Sequence, residues 1–353
     1  MFRTWRQKIT LTDLMVWVIG LAIGGVVVWG TILTLQSGKY SGESWFDLVV
    51  KGLALGGVYA LIAMGYTLVY GILRMINFAH SEVFMSGPFT AVFLANALDD
   101  SGFLNRQPLV SILLIALLSM LVSMAVAILV ERVAYRPLRG APRLVPLITA
   151  IGCSFFLQYT FRGFYGSGFE AYPTIQALDG SWQIGGVQLF KTQAVVILAA
   201  FVMMFILYAV VMWSKIGKAM RAVSEDKEAA ALMGIDVDKI IVFTFGLGGA
   251  AAGAGGVLYI LLFPIVHFYM GFIPGLKAFT AAVLGGIGNV PGAFLGSMVL
   301  GLLESVGPNL FLDGLGIPTP SQLKDAIAFI ILVFILIFRP SGILGERLTQ
   351  SKA

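Results

Sequence analysis

Charge is what this sequence has least of. Only 12% of its 353 residues are charged and 58% are apolar. A soluble domain carries about a quarter charged residues, so an ordinary water-soluble fold is excluded. One cysteine, Cys153, sits inside the apolar run Leu147 to Leu157, which excludes an intrachain disulfide framework and a cysteine-built zinc site. The two histidines, His80 and His267, are too far apart in sequence for metal spacing, so no metal or cofactor is expected. Twenty-three Lys and Arg against 18 Asp and Glu leave +5, a surplus too slight on so apolar a chain to suggest nucleic acid. There is no phosphate loop either: Gly217-Lys218 is followed by Ala219 and lacks the upstream glycine cradle. The chain therefore has no ATPase motif of its own and is not expected to be an enzyme.

What is present is a series of apolar runs near the ~20 residues that a membrane-crossing helix needs. They fall near Asp13–Leu35, Phe46–Tyr70, His80–Leu98, Leu109–Val133, Leu144–Phe164, Thr192–Trp213, Ile240–Phe263 and Leu323–Phe338. A further stretch, Gly275–Val306, is interrupted at Gly285 to Gly292 and reads as two short spans or a re-entrant hairpin. The expected fold is an all-α integral membrane bundle of about eight spanning helices plus that interrupted hairpin. Walking along the loops puts sixteen Lys and Arg on one side and six on the other, with Lys51 inside a span. Since basic residues stay in cytoplasmic loops, both termini are expected in the cytoplasm. The first span follows Arg3, Arg6 and Lys8, but no Ala-x-Ala cleavage pattern follows it, so a retained helix is expected rather than a signal peptide. No linker of domain size divides the chain. It reads as an extra helix and linker (1–45), one transmembrane domain (46–346) and a short tail (347–353). In the external loop, Trp182-Gln183-Ile184 beside Gly185-Gly186 predicts a small hairpin.

Carriers driven by protons or sodium keep ionisable groups near the bilayer midplane. Here Lys51, Glu82, Arg162, Lys277, Glu304 and Asp325 all fall toward span ends in sequence, where long side chains reach water. That disfavours self-powered transport. The cytoplasmic loop 214–239 instead reads as a docking element. Ser224 is expected to cap a helix with Glu225 and Asp226 in its first turn, continued through Glu228, Ala229, Ala230, Ala231, Leu232 and Met233, and ended by Gly234. So Ala-rich a helix would let its backbone seat closely in a partner's groove; the plain alternative is a surface helix lying on the membrane. Between Gly71 and His80 the chain passes through Arg74, Asn77 and His80, polar groups that in lipid must be paired or face a water-filled cavity. With the Gly285–Gly292 interruption this makes two broken hairpins, a pattern that points to a translocation route in transporters. Glycines four apart, Gly52 and Gly56, Gly249 and Gly253, Gly292 and Gly296, are expected to set close helix packing.

Glu228-Ala229-Ala230 followed by Gly234 resembles the EAA-x-x-x-G loop of ATP-binding-cassette importer permeases. Longer segments, Gly57-Val58-Tyr59-Ala60-Leu61-Ile62-Ala63-Met64-Gly65-Tyr66-Thr67-Leu68-Val69-Tyr70-Gly71 and Met75-Ile76-Asn77-Phe78-Ala79-His80, resemble the branched-chain amino acid permeases of the high-affinity LIV type. Glu131 to Arg139, Lys277 to Gly288 and Arg339 to Gly345 follow in the same order, so the resemblance covers roughly 46–346. It implies an importer subunit with a coupling helix formed by Ser224, Glu225, Glu228, Ala229, Ala230, Leu232 and Gly234. It also implies partners: a paralogous permease or a second copy, two cytoplasmic ATPases and an external solute-binding protein, in a bacterial-type inner membrane. One departure is Ser81, where the family commonly has glycine before the glutamate. For a route that passes leucine, isoleucine or valine, the candidate polar contacts are Tyr66, Tyr70, Asn77 and His80 in the first hairpin and Thr280 and Asn289 in the second. Three alternatives remain at this stage: the same machine carrying urea, short amides or other amino acids, a self-contained channel or secondary carrier, and an intramembrane enzyme built around Ser154.

Overall fold

The computed structural model describes residues 11–142, 144–184, 187–339 and 341–345. Arg3, Arg6, Lys8, Arg143, Gly185, Gly186, Arg347, Lys352 and the expected tail lie outside the described residues. In lipid every backbone polar group must be satisfied within the protein, and helices do this segment by segment. The helices are α1 (Leu11–Ser37), α2 (Gly42–Leu73), α3 (His80–Asp100), α4 (Phe103–Arg106), α5 (Pro108–Val130), α6 (Leu144–Tyr165), α7 (Lys191–Trp213), α8 (Lys215–Glu225), α9 (Lys227–Leu232), α10 (Val237–Leu262), α11 (Phe272–Gly285), α12 (Val290–Gly307) and α13 (Lys324–Phe338). Irregular π and 3-10 turns extend α5 to Leu138 and α12 to Leu315. Among the described residues, eight helical segments are long and apolar enough to cross a membrane, those containing α1, α2, α5, α6, α7, α10, α12 and α13. This is the expected all-α membrane bundle. The eight differ from the sequence reading in one member: α3, with His80, Ser81, Glu82 and Ser86 in its first half, is not among them. The Gly275–Val306 stretch resolves into two helices, α11 and α12, with the turn at Gly286–Asn289.

The bundle has an inner and an outer layer. α2 is mostly buried and packs on α7, α10, α11 and α12, while α10 also packs on α3 and α5. Helices α1, α5, α6, α7 and α13 present exposed apolar faces outward. Small residues set the closest crossings. A Cβ on Gly56 would stand 2.9 Å from the Ser297 carbonyl oxygen, and one on Gly253 2.8 Å from Met120 Cα. Ser119 uses the same proximity to donate from Oγ to the Gly253 carbonyl at 2.8 Å.

The feature that positions everything else is the break after α2. Arg74 takes the left-handed conformation at φ 58°, and its N–H closes on the Tyr70 carbonyl at 2.8 Å, ending the helix. The chain then doubles back, and the His80 ring lies against Gly65. Gly65 precedes Leu73 by eight residues, roughly 12 Å along a helix axis. α3 therefore begins inside the bundle and not at its end.

At the other end, α1 is clamped to the segment after α12. Lys39 pairs with Asp313 at 2.6 Å, the Gly314 N–H donates to Thr34 Oγ1 at 2.8 Å, and Tyr40 donates to Asn309 Oδ1 at 3.2 Å. In the long loop, β2 (Ser181–Ile184) and β3 (Val187–Phe190) form the expected antiparallel hairpin. A second pairing was not legible in sequence: β1 (Glu170–Ala171) with β4 (Ile265–Val266).

Candidate functional site

The break brings together part of the candidate set. Tyr66 of α2 and His80 of α3 meet edge-on with ring centroids 4.8 Å apart, and Phe279 of α11 lies 5.9 Å from Tyr66. Phe78 closes the cluster at 5.6 Å from Phe279. Thr280 adjoins it, but its hydroxyl donates back to the Leu276 carbonyl at 3.0 Å. Tyr70 stands one turn beyond Tyr66, half-buried. Asn77 is buried and accepts from the Tyr135 hydroxyl at 3.1 Å, which ties the break to the end of α5. Asn289 lies by the C-terminal end of α2, where Gly288 approaches Gly71. There it works as a cap, accepting from the Gly292 N–H at 2.9 Å and donating to the Leu344 carbonyl at 3.1 Å.

The structure corrects the expectation that the ionisable residues reach water at span ends. Lys51 and Arg162 do behave that way: Lys51 is half exposed beside Asp47, and Arg162 lies over the Tyr159 and Phe268 rings. Lys277 and Glu304 are buried and paired at 2.5 Å, with Asp325 at 2.6 Å from the same ammonium. α11 lies in the inner layer, and the chain beyond Gly307 continues as irregular helix instead of ending at water.

Glu82 is the sharper case. It is the third residue of α3 and fully buried, and it accepts at Oε1 from Gln158 Nε2 at 2.8 Å and from Ser154 Oγ at 3.1 Å. Ser154 is the eleventh of the 22 residues of α6, so Glu82 sits at mid-span although its sequence position suggested a span end. The same contact accounts for Ser154, whose carboxylate neighbour lies 72 residues away in sequence. Replacing Glu82 by alanine is expected to cost about 2 kcal/mol or more in detergent melting, because two buried donors lose their acceptor. Glu82→Gln, which retains an acceptor oxygen, should cost less. Equal losses from the two variants would show that the negative charge matters and the hydrogen bonds do not.

The loop 214–239 differs in detail from its sequence reading. Ser224 is not a cap: it lies in the last turn of α8, and its hydroxyl donates to the Arg221 carbonyl at 2.7 Å, while Glu225 is the final residue of that helix. The cap is Asp226, whose Oδ1 accepts from the N–H groups of Glu228 and Ala229 at 2.9 and 3.0 Å. The cap falls two residues later than expected because α8 runs on through Ser224. Gly234 takes φ +83° and ends the short helix as expected. Ala230 is buried, so it faces this chain and is not free for a partner. The outward tip is Leu232, 88% exposed, and Met233, 83% exposed. Arg74 joins this loop to the break, its Nη2 donating to the Ser224 carbonyl at 3.3 Å. Lys227 is held below the usual lysine range by partial burial and by the charges of Arg139 and Arg74. Beside it, Arg139 bridges Glu131 and Asp238, and Arg136 reaches Asp238 at 2.6 Å, binding the end of α5 to the start of α10.

Residues 48–336 match the family described as branched-chain amino acid transport system, permease component. The chain belongs to that family. The high-affinity branched-chain amino acid transport system permease protein BraD of Pseudomonas aeruginosa is 43% identical over 307 residues, 86% of this chain and 96% of that protein. LivH of Escherichia coli, of the same description, is 40% identical over 301 residues, 84% of this chain and 94% of that one. Among solved structures, a metal-chelate-type ABC transporter in an inward-facing conformation aligns over 89% of this chain and 97% of its own at 16% identity, with a TM-score of 0.44. Within the permease family frame, α1 lies outside the matched residues. Ser81, the departure from the family's glycine, lies in regular helix, so no positive φ is needed there. What the position does require is small size, because a Cβ on Gly275 would stand 2.9 Å from Ser81 Cα.

Proposed function

We propose that this chain is the membrane-spanning subunit of an ATP-driven importer for branched-chain or other neutral amino acids. In this reading it lies in a bacterial inner membrane with both termini in the cytoplasm. It pairs with a related permease or a second copy, receives solute from an external binding protein, and leaves hydrolysis to two cytoplasmic ATPases. The observation that carries the reading is the exposed apolar pair Leu232 and Met233 at the tip of a loop anchored to the bundle through buried Met220, Val223 and Ala230. That tip lies at the end where Arg74, Arg136 and Arg139 gather, and the distribution of basic residues supports a cytoplasmic position for that end. An ATPase closing on the tip would move α8 and, through Arg74 and the Ser224 carbonyl, the break between α2 and α3. Tyr66, His80, Phe279 and Thr280 line the inner face of that break and are the residues proposed to respond. The relatives' names support the amino acid cargo, and an apolar cargo suits a wall of aromatic and small residues.

Glu82 favours one competitor, because a carboxylate at mid-span is what a proton-coupled carrier would use. Reconstitution separates the two. The purified chain alone in vesicles is expected to accumulate no leucine under a proton gradient. Vesicles carrying the chain with a partner permease, ATPases and solute receptor are expected to accumulate it with ATP. Uphill uptake by the chain alone would end the importer reading.

A further inference from the structure

At the basic end of the bundle an apolar groove of about 430 Å³ opens between α5 and α10. Gly246 forms its floor, with Met124 and Ile128 on one wall and Phe243 and Ala250 on the other. Arg132, Arg136 and Lys239 stand around its mouth with a single carboxylate, Asp238. That carboxylate is already held by Arg136 and Arg139. Lys239 is 84% exposed and shares only Asp236, at 2.9 Å, while Arg132 is exposed and has no carboxylate within 4 Å among the described residues. The mouth therefore carries one cation, Arg132, with no paired carboxylate among the described residues, and a second, Lys239, in a solvent-exposed pair, directly above an uncharged slot.

Neither half of this arrangement is explained by the transport reading. The slot opens on the outer layer beside exposed Leu121, Leu129 and Phe243, where the surrounding medium is hydrocarbon. A free anion would satisfy the cations and leave the slot unfilled; a neutral lipid would fill the slot and leave the cations unmatched. One molecule that does both has a phosphate joined to an acyl chain. We propose that the groove between α5 and α10 is a binding site for a single anionic phospholipid, with its headgroup phosphate against Arg132 and Lys239 and an acyl chain lying on Gly246. Basic pockets between membrane helices on the cytoplasmic side bind acidic headgroups for this reason. The site adjoins the π-helical end of α5, Glu131–Tyr135, and the first turns of α10, the helix that leads out of the 214–239 loop. Bound lipid would brace that junction from outside.

The test uses the full chain purified in mild detergent, stripped of lipid, and titrated with phosphatidylglycerol or phosphatidylcholine while native mass spectrometry counts bound lipid. The wild-type chain is expected to retain one phosphatidylglycerol in preference to phosphatidylcholine. Each of Arg132→Gln and Lys239→Gln should lower phosphatidylglycerol retention about fivefold, the effect of one basic residue near an acidic headgroup, and leave phosphatidylcholine unaffected. Ala250→Phe, which fills the slot, should reduce retention of both lipids. Equal retention of the two lipids by the wild-type chain, or unchanged phosphatidylglycerol retention in the double glutamine variant, would overturn the assignment. So would efficient disulfide formation between copies of a Cys153→Ser, Phe243→Cys chain in native membranes, which would give this face to a second copy.

Discussion

Replacing both Leu232 and Met233 by aspartate is expected to abolish ATP-driven uptake while the chain still folds and reaches the membrane. The two side chains are almost fully exposed, so within this chain their loss removes almost no packing. If they seat in an ATPase groove, burying each is worth about 1.5–3 kcal/mol. Losing both removes at least about 3 kcal/mol, a hundredfold or more in affinity for the ATPase. Two checks go together: co-purification of the ATPases in mild detergent, and leucine uptake by the reconstituted assembly. The choice of residues matters. Ala230→Asp looks equivalent from the motif, but Ala230 is buried against its own chain and that variant would confuse misfolding with uncoupling. Normal uptake by the Leu232→Asp, Met233→Asp chain would remove the tip from the coupling mechanism.

The second large effect concerns the buried ion contact. Lys277→Met should destabilise the bundle by about 3–5 kcal/mol, because it strands the Glu304 carboxylate in the inner layer. Among the described residues Glu304 would keep only the Tyr59 hydroxyl, at 3.3 Å, as a neighbour able to donate. Asp325 would suffer less, being 44% exposed and able to share its charge with water. A buried pair is often no better than its apolar replacement, so the double variant Lys277→Met, Glu304→Leu should regain most of the loss. Thermal melting in detergent of the two single variants and the double variant measures this directly. A double variant as unstable as the sum of the singles would mean that the two residues act independently and that the contact is incidental.

Long apolar runs made the helices legible, because a segment that must satisfy its own backbone over some 20 residues leaves few other forms. Gly234 was legible too, since a helix end in the left-handed region favours the one residue without a Cβ. What escaped was depth. Reading Glu82 as a span-end residue assumed that chain between helices stays at the membrane surface, and the return from Arg74 to His80 breaks that assumption. Lys277 and Glu304 escaped for a related reason: whether a helix belongs to the inner or the outer layer depends on its neighbours, and α11 and α13 are both apolar in sequence. The helix cap in the 214–239 loop was misplaced by two residues because Ser224 and Asp226 are both good capping residues, and only the length of α8 decides between them. The candidates Tyr66 and His80 are brought together because the chain doubles back after α2; Asn289, grouped with them by composition, caps α12.

Arg74 holds a conformation in which glycine would rest without penalty, and an arginine there forgoes about 1 kcal/mol. A library selected purely for heat resistance would therefore drift toward glycine at this position, and the winners would have lost the side chain that ties the 214–239 loop to the end of α2. Under the proposed coupling, durability and responsiveness pull this single position in opposite directions, and the toughest descendants of this protein would be poor transmitters.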